Sequence, residues 1–78
     1  MNSPKSLRKV VDHLERGEWE AAHGIVQSDD SVQACWLHGI VHLLEGDLEN
    51  ARYWYARAGR AFSGDAAAEI VAARKLMS

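Results

Sequence analysis

His38 and His42 stand four residues apart in His38-Gly39-Ile40-Val41-His42. On a helix that spacing sets two imidazoles one above the other on a single face, an arrangement that can chelate a metal ion. Glu45 lies one turn further on, and His13 stands in a matching context earlier in the chain, so either is a candidate further ligand. A zinc-protease helix also needs Glu directly after its first histidine, and that place is Gly39 here. Two histidines without fixed further ligands are a weak metal motif. The expectation is therefore packed histidines hydrogen-bonded to their neighbours, with no cofactor. Metal or small-ligand binding by His38 and His42, with His13 or Glu45, is the alternative.

Other reactive side chains have simpler explanations. Glu18, Glu20, Glu45, Asp47 and Glu49 are carboxylates near histidines. Acid–base catalysis needs carboxyls at a defined separation in a cleft. Helix starts attract acidic residues through the dipole alone. Cys35, inside a helical stretch, reads as a small hydrophobe. No nucleophile motif and no glycine-rich phosphate loop is present. No catalytic residue is assigned, and the chain does not read as an enzyme. Tyr53, Trp54 and Tyr55 with Arg52, Arg57 and Arg60 could stack bases and hold phosphates. The net charge of −2 argues against a nucleic-acid partner. Trp54 and Tyr55 read instead as core, and the arginines as cations at a helix C-terminus.

These residues need a frame. The 78 residues, 47% of them hydrophobic, make one domain over 1–78, near the lower size limit for an unassisted core. The single Cys35 allows no internal disulfide. Met1-Asn2-Ser3-Pro4-Lys5 is followed by no apolar segment of signal-peptide type, and the longest apolar run is broken by His42. No membrane association and a cytoplasmic location are expected.

The frame is all-α, with about five helices. Ser3 and Pro4 read as cap and first helical residue of a helix running to about Glu15, with Leu7, Val10, Val11 and Leu14 on one stripe. Gly17 ends it. A second helix, about Glu18 to Gln27, turns Trp19, Ala22, Ile25 and Val26 inward, with Gly24 inside it. Asp30 or Ser31 caps a third, to about Leu44, which Gly46 ends. Asp47 caps a fourth, to about Ala58 or Arg60, carrying Leu48, Ala51, Trp54, Tyr55, Ala58 and Phe62. Asp65 caps a last, weakly amphipathic helix to about Leu76, with Ala67, Ile70, Val71, Arg74 and Lys75 along it.

A shift of 29 positions lays His13-Leu14 on His42-Leu43, Gly17 on Gly46, Glu18 on Asp47, Trp19 on Leu48, Glu20 on Glu49 and Ala22 on Ala51. A period in this range marks a helical-hairpin repeat, whose units bury their apolar sides by stacking. Gly39, Gly46, Leu48, Ala51, Tyr55 and Ala58 give the second copy its resemblance to the tetratricopeptide repeat superfamily; Gly17, Trp19 and Ala22 carry it in the first. Ala51-Arg52-Tyr53-Trp54-Tyr55-Ala56-Arg57-Ala58 also resembles the core of the related Sel1-like repeats. The run from His38 to Arg60 is similar to a group of small uncharacterised bacterial proteins. The chain departs from the repeat pattern at His38, His42 and Ser63, where Leu, Tyr and Pro are usual.

The resemblance implies repeat 1 over about 4–30, repeat 2 over about 31–62 and a capping helix over about 65–76. It also implies that the first helix of each hairpin lines a concave face. Leu7, Val11, Leu14, Trp36, Ile40 and Leu43 would form that face as an interaction surface, and His38 and His42 would point at the partner helix. The expected role is a non-enzymatic protein–protein interaction or self-association module, homodimeric by preference, because so small a unit has surplus apolar surface.

Overall fold

The computed structural model describes residues 4–77. The described chain is all-α: α1 (Pro4–Glu15), α2 (Trp19–Val26), α3 (Val32–Glu45), α4 (Leu48–Arg57) and α5 (Ala66–Met77). Among the described residues there is no strand, and no helix is long and apolar enough to cross a membrane. Ser3, read as the first cap, lies outside the described residues.

The turns explain the repeat. Gly17 and Gly46 take φ of +75° and +89°, where a side chain would be strained. In the first copy Gly17 N–H donates to Leu14 O and Glu18 N–H to His13 O. In the second, Gly46 N–H donates to Leu43 O and Asp47 N–H to His42 O. Both are Schellman turns, so the shared His-Leu-x-x-Gly-acidic pattern is a device for ending one helix and starting the next. The acidic residue then behaves differently by length. Asp47 caps α4 by accepting from Asn50 N–H at 3.2 Å. Glu18 makes no side-chain cap, and its longer arm reaches His13 Nδ1 at 2.8 Å instead. Ser31, not Asp30, caps α3, accepting from Ala34 N–H, and Asp65 caps α5 by accepting from Ala68 N–H.

α3 is the central helix and packs against all four others. Every residue from Ala34 to His42 is buried, so this helix is covered on all sides rather than along one stripe, His38 and His42 included. α1 with α2, and α3 with α4, form the two hairpins of a repeat-like arrangement. Gly39 sets the closeness of the second: a Cβ there would stand 2.5 Å from Tyr55 Cδ1 and 3.3 Å from Ala51 O.

The last helix does more than cap the stack. α5 packs on α1 and α3, the two helices expected to line the concave face, and is tied to α4 through the Tyr55 side chain. Its buried residue is Ala73, with Ile70, Ala72 and Met77 against the core, while Val71 is exposed. Polar ties hold it there. Glu69 Oε1 accepts from Tyr55 OH at 2.7 Å and Trp36 Nε1 at 3.1 Å. Arg74 binds Glu15 at 2.8 Å and also Asp12, and Arg8 Nε donates to Met77 O at 2.8 Å.

This placement corrects the expected interaction surface. Leu7, Val11, Leu14, Trp36 and Ile40 are buried in the chain's own core, and Leu43 packs partly buried against it. The apolar groove has an occupant already, and it is α5. Leu48, expected inward, is exposed.

Candidate metal centre

Three histidines converge where α2 meets α3. His38 and His42 project from one face of α3, as their spacing requires, with ring centroids 5.0 Å apart and planes 22° from parallel. The third is His23 of α2. Its ring stands edge-on to His38 at 4.8 Å and to His42 at 5.7 Å. One potential ligand nitrogen from each of the three lies within 4.8 Å of the other two.

The surroundings fix two of the rings. Trp54 of α4 lies flat on His38, centroids 3.8 Å apart and planes 10° from parallel. Arg57 sits over the indole with Cζ 5.0 Å from its centroid, and donates to Tyr53 OH at 3.4 Å. His42 is held from its other side: Glu45 Oε1 lies 2.8 Å from His42 Nδ1. A neutral His42 that donates from Nδ1 to this carboxylate leaves Nε2 with its lone pair free, the second-sphere pattern typical of a metal-bound imidazole.

His38 is the least expected part. It is only 4% exposed, and its Nδ1 is buried with no hydrogen-bond partner. Buried polar atoms are nearly always paired, and an unpaired one is costly. Burial first, then the neighbouring His23, His42 and Arg57, hold the His38 pKa down to about 4. Its ring is neutral at pH 7, the form a metal requires. The expectation of packed, hydrogen-bonded histidines is thus met by His42 and not by His38.

The other candidate ligands fall elsewhere. His13 pairs with Glu18 at the end of α1 and belongs to no three-residue ligand group among the described residues. Glu45 supports His42 from outside the three-histidine cluster. It does form a second group with His42 and Asp47, but Asp47 is engaged as the α4 cap, with Asn50 Nδ2 2.7 Å from its second oxygen. His23 escaped sequence reasoning because nothing local marks it. Its nearness to His38 comes from the packing of α2 on α3, which no helical period encodes.

Three imidazoles with a second-sphere carboxylate suit zinc, copper or nickel better than the oxygen-seeking magnesium or calcium. Three protein ligands also leave a fourth position for water or an exogenous ligand. The chain matches no family model, no curated protein and no solved structure.

Proposed function

We propose that this chain is a small helical scaffold that binds one transition-metal ion through His23, His38 and His42. The observation that carries this reading is the convergence of one potential ligand nitrogen from each of His23, His38 and His42 within 4.8 Å of one another. Glu45 is the positioning residue for His42. The proposed role is binding rather than catalysis, since the carboxylates beside the cluster are engaged by His42 and by the α4 cap. Tag-free protein equilibrated with zinc and dialysed against metal-free buffer should retain about one equivalent, as a three-imidazole site implies. A metal-free product ends this reading.

The scaffold is proposed to be a divergent relative of the tetratricopeptide and Sel1-like hairpins. The paired Schellman turns, the stacked hairpins and the Gly39–Tyr55 approach support that kinship. In the second reading, self-association or a protein partner, the contacts would be the large apolar side chains left more than half exposed, among them Val71 and Leu76 on α5. Val71→Asp would then change the sedimenting species; an unchanged monomer would remove this reading.

A further inference from the structure

A tetrahedral ion with metal–nitrogen bonds of about 2.0–2.1 Å holds its nitrogens roughly 3.4 Å apart. The three imidazoles, with ligand atoms up to 4.8 Å apart, must draw together by on the order of 1 Å to meet that geometry. Two of them have little freedom to do so. His38 is buried on the central helix under Trp54, and His42 is tied to Glu45 on the same helix. His23 comes from a different helix and touches the other two rings by edge contacts. The adjustment therefore falls on His23 and on α2.

α2 is built to adjust. It has eight residues, well short of the length at which a helix is stable alone. Its N-terminus has no side-chain cap, since Glu18 is drawn to His13. Gly24 sits in its middle with open space where a Cβ would be, so that glycine serves no close packing. Ala22 and Val26 of this helix are buried, Trp19 and Ile25 lie partly buried against the core, and the helix rests on α1 and α3.

We propose that α2 is a metal-latched element: the ion draws His23 onto His38 and His42 and fixes α2 against α3, so that metal occupancy is read out as the order of this one helix. The proposal rests on the metal-binding reading above. It makes the site a sensor rather than a static staple, because the hairpin that carries His23 is the one whose stability the ion changes.

The test is amide hydrogen exchange on the full chain, metal-free and with zinc, with bound zinc measured on the same samples. Exchange across residues 19–26 should slow by roughly ten-fold or more on zinc binding, and more than in α4, since an ion that binds only the latched form stabilises it by mass action. Gly24→Ala, which firms α2 without touching the rings, should slow α2 in the metal-free protein and shrink the zinc effect. One equivalent of bound zinc with α2 slowed no more than α4 overturns the latch and leaves the metal site standing. Absence of bound zinc overturns both.

Discussion

The Trp54 indole lies flat against the His38 imidazole, 3.8 Å from centroid to centroid. An ion bound by His38 therefore sits within a few ångströms of an indole. A paramagnetic ion there should quench Trp54 emission strongly. Copper(II) or nickel(II) is expected to remove a saturable share of the tryptophan fluorescence, and Trp54→Phe should lose that component while Trp19 and Trp36 continue to emit. Quenching of equal size in Trp54→Phe would place the ion elsewhere.

His38 also gives the metal-free protein a pH dependence. Its pKa is about 4 in the folded chain, lowered by burial and then by His23, His42 and Arg57, against 6.5 in the ordinary state. Between those values the unfolded chain binds the extra proton, so stability falls as pH drops from 6.5 towards 4. Above 6.5 this group contributes no slope. The full shift corresponds to roughly 3–4 kcal/mol, and His38→Gln should flatten the dependence. Urea midpoints at pH 7 and pH 4.5 check it; equal losses in both proteins would assign the acid sensitivity to other groups.

Glu69 is the polar clasp of α5. One of its oxygens accepts from both Tyr55 and Trp36, so Glu69→Ala leaves two donors on α4 and α3 without their acceptor. The expected loss is about 2–4 kcal/mol, with Tyr55→Phe costing about 1 kcal/mol. Denaturant titration reads both. A neutral Glu69→Ala would mean that apolar packing alone holds α5 in place.

Much of the helical frame was legible in the chain. Gly17 and Gly46 announce turns because they must take positive φ, and Asp47 and Asp65 announce helix starts because their carboxylates reach the third amide on. The pair His38 and His42 was legible through its four-residue spacing. What failed to show was decided by tertiary packing. His23 joins the pair only because α2 docks on α3. The groove of apolar residues from Leu7 to Leu43 reads as a surface until α5 is seen lying in it, and the side chains that hold α5 there, Glu69 and Arg74, look on paper like ordinary helix charges.

The two helix-interior glycines of known surroundings should respond in opposite directions. Gly39→Ala drives a Cβ to 2.5 Å from a Tyr55 ring that is itself held by Glu69, and should destabilise by about 1–3 kcal/mol. Gly24→Ala meets open space and should stabilise by up to about 1 kcal/mol. Thermal melts of the two variants decide this; a stabilised Gly39→Ala would contradict the close approach of α3 and α4.

The central claim is that His23, His38 and His42 together form one metal site, and calorimetric zinc titration of tag-free protein at pH 7.5 tests it most directly. One ion should bind per chain, His23→Ala and His38→Ala should each weaken binding by at least roughly ten-fold, as loss of one of three ligands requires, and His13→Ala should bind as the parent does. No binding by the parent chain, or binding that survives intact in both His23→Ala and His38→Ala, would contradict it.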